Sequence, residues 1–194
     1  MLESLFVPTG IVALAEIGDK TQLLALLLAA RFRRPWPIIW GMVVATLANH
    51  LAAGAVGNWV ASLFSTTTLS WILAASFAAV ALWTLVPDKL EDEDSSALKR
   101  FGPFVTTLIA FFLAEMGDKT QIATVMLAAQ YPHFLLVVAG TTLGMLIANV
   151  PVVLAGNFAA DRLPLTLIRR LAALAFAALA IYAACQALGL TGGS

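Results

Sequence analysis

Charge is scarce in this sequence. Asp, Glu, Lys and Arg make up 11% of the 194 residues, and 61% of the chain is hydrophobic; a soluble domain carries about 25% charged residues. A soluble chain of this size could not bury so much apolar surface, whereas a bilayer removes the need. Cysteine is almost absent. Cys185 alone excludes an internal disulfide and a cysteine-based zinc site, and in its apolar run it reads as a small packing residue. The formal net charge is zero, which offers nothing to a nucleic-acid partner. No Gly-x-x-x-x-Gly-Lys-Ser/Thr stretch is available to hold ATP phosphates. A basic segment is also missing ahead of the first apolar stretch, which is preceded by Glu3. That stretch is therefore expected to stay as a membrane span and not to be removed as a signal peptide.

What is there is a series of long apolar runs. A membrane span needs roughly 20 mostly apolar residues, and six segments qualify: Leu5 to Ala30, Trp36 to Leu63, Leu69 to Val86, Phe104 to Ala129, Phe134 to Phe158 and Ile168 to Leu188. Runs this long and continuous predict helices and not barrel strands. The expected fold class is an all-α polytopic membrane protein. Basic residues then set an orientation. Arg31, Arg33 and Arg34 lie in the first loop; Lys89, Lys99 and Arg100 in the third; Arg162, with Arg169 and Arg170, at the fifth. Only Lys20 and Lys119 remain, and both fall inside spans. The positive-inside rule puts those three loops in the cytoplasm and both termini outside. The acidic run Glu91-Asp92-Glu93-Asp94 reads as a solvated linker. It divides the chain into residues 1–87, a charged linker 88–103, and residues 104–194.

The two halves resemble each other at an offset of 99 residues. Ala15-Glu16-Ile17-Gly18-Asp19-Lys20-Thr21-Gln22 recurs as Ala114-Glu115-Met116-Gly117-Asp118-Lys119-Thr120-Gln121. Gly41 matches Gly140, Gly57-Asn58 matches Gly156-Asn157, and Phe77-Ala78-Ala79 matches Phe176-Ala177-Ala178. Each half holds three spans, and an odd number inverts the second copy relative to the first. Inverted three-helix repeats with a site at their interface are a common plan of secondary transporters.

Glu16 lies eleven residues after Leu5, and Glu115 eleven after Phe104, which is about 16 Å into each span and near the bilayer midplane. An Asp or Lys at that depth costs about 2.5–3.5 kcal/mol on insertion scales, so simple helix glue is a poor explanation for four acids. On a continuous helix Glu16, Asp19 and Lys20 form one polar stripe with Gln22 at its edge. Gly18 allows either close helix approach or local unwinding, and Thr21 joins the stripe only in the unwound case. Two facing stripes offer the oxygens of Glu16, Asp19, Gln22, Glu115, Asp118 and Gln121, hard donors of the kind that Ca²⁺, Mg²⁺ or Mn²⁺ prefer. Four carboxylates and two lysines sum to −2, so one divalent cation neutralises the set and protons can replace it. Lys20 and Lys119 each follow a glutamate by four residues, the favourable order for an intrahelical pair. They are expected to hold the glutamates or to compete with the cation. Thr21 and Thr120 are supporting candidates.

Asn49 and Asn149 fall near the middle of spans two and five, where their amides either complete a coordination shell or bond between helices. His50 follows Asn49, while Val150 follows Asn149. His50 reads first as a locally satisfied histidine, with a proton relay as the alternative. Thr46 and Thr142 are minor candidates of the same kind. Pro151 is expected to kink span five. Trp36, Trp40 and Trp71 read as interface anchors.

The duplicated Glu-x-Gly-Asp-(Lys/Arg)-(Thr/Ser) motif, one copy in span one and one in span four, resembles the cation/proton antiporter family that includes Golgi calcium/manganese transporters and bacterial manganese exporters. The resemblance runs along the whole chain. It implies a secondary active transporter of a divalent cation, Mn²⁺ favoured over Ca²⁺, with Glu16, Asp19, Glu115 and Asp118 at the metal and proton site. It further implies a compact prokaryotic member in the plasma membrane. No resident cofactor is expected, since the cation is cargo; the partners are the cation, protons and lipid. Small residues along every span also allow a homodimer. Two other readings use the same residues. Export of a basic amino acid would set an ammonium among the carboxylates. An intramembrane aspartyl protease would pair two aspartates, but Glu16 and Glu115 stand where such a site needs glycine, and a dyad has no use for four acids with lysines.

Overall fold

The computed structural model describes residues 1–86, 101–155 and 165–190. The acidic run, Lys89, Lys99, Arg100, Arg162 and the Gly156-Asn157 half of one repeat match lie outside the described residues. The described chain is all-helical, with α1 (Glu3–Glu16), α2 (Lys20–Phe32), α3 (Pro35–Leu63), α4 (Thr66–Thr84), α5 (Pro103–Glu115), α6 (Lys119–Gln130), α7 (Phe134–Ala155) and α8 (Leu165–Ala187). Among the described residues, four helices are long and apolar enough to cross a membrane: α3, α4, α7 and α8. The chain is a multi-pass membrane protein, and its outside looks the part. Leu82, Ile147, Leu174 and Ile181 are largely exposed, surface that lipid accepts and water does not. Trp36, Trp40 and Trp71 are also exposed, toward the ends of α3 and α4, where aromatic side chains anchor a span at the headgroups.

The expected first and fourth spans are not single helices. Each is divided at the charged motif, giving α1 followed by α2 and α5 followed by α6. Pro35 at the start of α3 and Pro103 at the start of α5 sit where a missing N–H is harmless. The helix α7 continues through Pro151.

Packing follows a cross pattern. Helix α1 packs on α7, α5 packs on α3, and α4 packs on α8. Close approach is made possible by two repeat-matched glycines. A Cβ on Gly41 would lie 2.7 Å from the Phe104 carbonyl oxygen, and a Cβ on Gly140 would lie 2.4 Å from that of Leu5. Leu5 and Phe104 are themselves one repeat offset apart, so the same backbone contact is made twice. Phe77 and Phe176, another matched pair, are fully buried in one apolar cluster with Ile11, Met126 and Leu127. A second cluster joins Ala25, Leu28, Ile38, Met42, Phe111 and Val153. The broken helices carry the polar residues of the site.

Candidate cation site

The break is built the same way in both halves. Helix α1 ends at Glu16, Ile17 is extended, Gly18 has φ 82°, and Asp19 caps α2 with φ −84° and ψ 167°. Helix α5 ends at Glu115, Met116 is extended, Gly117 has φ 73°, and Asp118 caps α6 with φ −77° and ψ 161°. A positive φ of this kind costs an L-residue about 1–2 kcal/mol, which is why glycine holds the centre of the motif.

The polar residues then close the opened backbone. The Gly18 N–H donates to Gln22 Oε1 at 2.9 Å, and the Gly117 N–H to Gln121 Oε1 at 2.7 Å. The Asp19 and Asp118 N–H groups each donate at 3.1 Å to the carbonyl of the glutamate three residues before. The Thr21 hydroxyl donates to Glu16 Oε2, and the Thr120 hydroxyl to Glu115 Oε2 at 3.3 Å, with Asp118 Oδ2 at 3.2 Å from it. Five residues apart, these partners would face apart on a continuous helix; the break brings them together. Gly18→Ala is accordingly expected to lower stability by about 1–2 kcal/mol. Gly10→Ala, in α1 with open space at its Cβ, should be neutral or gain up to about 1 kcal/mol. Thermal melts in detergent compare the two; equal melting temperatures would contradict a strained Gly18.

The lysines correct one expectation. Each was expected to hold the glutamate of its own helix or to compete with the cation. Instead Lys20 Nζ lies 3.3 Å from Asp118 Oδ1, and Lys119 Nζ lies 3.0 Å from Asp19 Oδ2. The reason is the break, which ends the helical register that the i,i+4 pair requires and turns α2 and α6 toward each other's caps. Two ion pairs thus cross between the halves. They are not equivalent, since the Lys119 side chain is 2% exposed and that of Lys20 28%.

Glu16, Asp19, Glu115 and Asp118 are all buried. One oxygen from each of Glu16, Asp19 and Asp118 lies within 4.8 Å of the others. Two ligands on opposite sides of one Ca²⁺ are about 4.6–5.2 Å apart, so a single divalent ion can touch all three. Glu115 stands to one side, with its Oε2 3.8 Å from His50 Nε2 on α3. Neither His50 nitrogen has a hydrogen-bond partner among the described residues, where the sequence favoured a locally satisfied histidine. Geometry explains it, because 3.8 Å is too long for a hydrogen bond.

The amides divide their roles. The oxygens of Gln22 and Gln121 are engaged by the motif backbone, and their Nε2 groups donate to the Ala148 carbonyl at 3.1 Å and to Asn49 Oδ1 at 3.2 Å. Asn49 Nδ2 donates to the Phe112 carbonyl at 3.0 Å, so Asn49 ties α3 to α5 and α6. Asn149 Nδ2 donates to the Met145 carbonyl at 3.0 Å and reaches Glu16 Oε2 at 3.4 Å. Asn149 Oδ1, Glu16 Oε1, Glu115 Oε1 and the hydroxyls of Thr46 and Thr142 are buried without a hydrogen-bond partner among the described residues. Each such atom costs about 1–3 kcal/mol, and a cation is a partner that oxygens of this kind accept. The motif spacing pointed to the acids. It missed the crossing lysines and the His50–Glu115 contact.

Comparison with known proteins agrees with this chemistry. The family model described as divalent cation/proton antiporter GDT1 matches residues 4–92 and 103–190. A candidate manganese exporter of Vibrio cholerae serotype O1 is 57% identical over 171 residues, covering 88% of this chain and 84% of its own. A GDT1-like protein of Synechocystis sp. is 29% identical, over 79% of this chain and 82% of its own. GDT1-like protein 3 of Oryza sativa is 28% identical, over 84% and 67%. No solved structure matches the chain.

Proposed function

The chain belongs to the GDT1 family of divalent cation/proton antiporters, and on that premise we propose that it exports Mn²⁺ from the cytoplasm in exchange for protons, at a site built by Glu16, Asp19 and Asp118. It is a transporter and not an enzyme. The observation that carries the proposal is the convergence of three buried carboxylates within reach of one ion, contributed by both halves of the chain. Their donors are hard oxygens, suited to Mn²⁺ and Ca²⁺, and the similarity to the Vibrio cholerae protein favours Mn²⁺.

Charge gives the exchange its logic. With Glu115 included, four carboxylates and two lysines carry −2, and either one divalent cation or two protons neutralise that charge. The Lys20 and Lys119 ammoniums cross the site and hold Asp118 and Asp19. An arriving cation competes with them for the same oxygens. Protons on the carboxylates then release the cation, and the site is never left with an uncompensated charge at membrane depth.

The two halves, residues 1–87 and 104–194 about the linker 88–103, act as inverted three-helix repeats. Support comes from the exchanged packing of α1 on α7 and α5 on α3 and from the twin contacts Gly41–Phe104 and Gly140–Leu5. Six spans then consist of four continuous helices and two broken ones, and rocking of one half against the other exposes the site to each side in turn. The arginines and lysines of loops one, three and five put those loops in the cytoplasm and both termini outside a prokaryotic plasma membrane.

The test is flux in proteoliposomes. A pH gradient, acidic in the lumen, should drive Mn²⁺ uptake by the wild type and not by Asp19→Asn. Mn²⁺ movement indifferent to the pH gradient, or unaltered in Asp19→Asn, would sink the proposal. Ca²⁺ movement in place of Mn²⁺ would reassign the cargo.

A further inference from the structure

The duplicated motif would make a symmetric site, yet the environments of its two glutamates differ. Glu16 meets Asn149. Glu115 meets an imidazole, because at the 99-residue offset His50 in α3 stands where the second half has Asn149. The histidine is fully buried, and both its nitrogens lack a hydrogen-bond partner among the described residues. Glu115 Oε1 is likewise buried without one. Four residues before His50, on the same face of α3, the buried Thr46 hydroxyl also has none. Three possible ligands of different type are thus left without a hydrogen-bond partner, among the described residues, on one side of the acid cluster.

The separation of the facing atoms is informative. His50 Nε2 and Glu115 Oε2 are 3.8 Å apart. A neutral pair meant to bond would close to about 2.7–3.2 Å. Two ligands each about 2.1 Å from one ion are separated by about 3.0 Å at a right angle and about 4.2 Å in line, and the observed distance falls between. We propose that His50 and Glu115 form a second cation position beside the Glu16–Asp19–Asp118 cluster, and that its imidazole selects a first-row transition ion such as Mn²⁺ over Ca²⁺. Calcium takes oxygen ligands, whereas an imidazole nitrogen suits transition ions. The oxygen cluster binds either ion; the nitrogen-bearing position separates them. This rests on the antiport reading above and goes beyond it in naming the residue that discriminates.

Two measurements test it. In proteoliposomes, His50→Gln should reduce the ratio of Mn²⁺ to Ca²⁺ flux about tenfold, the scale of a metal-site perturbation. In the second, purified wild-type protein loaded with Mn²⁺ should show nitrogen coupling to the ion by pulsed electron paramagnetic resonance. That coupling should change on ¹⁵N-histidine labelling and vanish in His50→Gln. The chain has only two histidines, so the variant distinguishes His50 from His133. An unmoved flux ratio, or Mn²⁺ bound without nitrogen coupling in the wild type, overturns the proposal. If His50→Gln does not fold, His133→Gln decides: nitrogen coupling that persists in it supports the proposal, and coupling lost in it overturns the proposal. Failure of the wild type to move any divalent cation with a pH gradient would instead remove the antiport reading itself.

Discussion

Glu16→Gln is expected to abolish Mn²⁺ transport while leaving the protein at least as stable as the wild type. The two halves of that outcome have different causes. Glu16 supplies one of the three oxygens that converge within 4.8 Å. Removing a buried charge from a set that must balance a divalent ion forfeits about 3–5 kcal/mol of interaction, a factor of roughly 10² to 10⁴ in binding. Folding responds in the opposite direction. Glu16 is fully buried, with the carboxylates of Glu115 and Asp118 as like-charged neighbours, so a neutral amide relieves repulsion. Its carbonyl can still accept from the Thr21 hydroxyl. Flux assays and thermal melts on the same preparation separate the effects. Lost transport with a large drop in melting temperature would mean that Glu16 is chiefly a structural residue.

Lys119→Met should give the complementary result, a large loss of stability. The Lys119 side chain is 2% exposed and its ammonium lies 3.0 Å from Asp19 Oδ2. Deleting it removes the counter-charge from a carboxylate that water does not reach, an effect of about 3–5 kcal/mol. Lys20→Met should be milder, because the Lys20 side chain is itself 28% exposed and its ion pair is less completely desolvated. The double variant Lys119→Met with Asp19→Asn is expected to recover most of the lost stability without recovering transport. Chemical denaturation of the three variants checks this. Equal destabilisation by Lys20→Met and Lys119→Met, or no recovery in the double variant, would contradict the crossed pairing.

The same residues explain how far the sequence could be read. The duplicated motif, its depth and the odd number of apolar runs in each half are one-dimensional facts, so the acids and the membrane class were legible directly. Gly18 announced a special backbone position but left two choices, close approach or unwinding. Only the positive φ shared with Gly117 decides between them. Once the helix breaks, the i,i+4 rule that joined Lys20 to Glu16 no longer applies, and the lysines cross to the opposite aspartates. That pairing depends on how α2 and α6 meet in space, which no spacing records. Gln22 and Gln121 looked like metal donors because amide oxygens are; the opened backbone gives those oxygens a nearer partner. His50 was visible as an asymmetry between matched positions, but the glutamate it faces lies 65 residues away in the chain.

The most direct measurement reverses the driving force. Proteoliposomes carrying a pH-sensitive dye, with equal pH on both sides, are given Mn²⁺ outside only. Exchange at the Glu16–Asp19–Asp118 cluster predicts that Mn²⁺ entry drives protons out, so the lumen turns alkaline with the wild type and stays unchanged with Asp118→Asn. Mn²⁺ entry without any change in lumen pH, or the same alkalinisation in Asp118→Asn, would contradict proton-coupled exchange at these carboxylates.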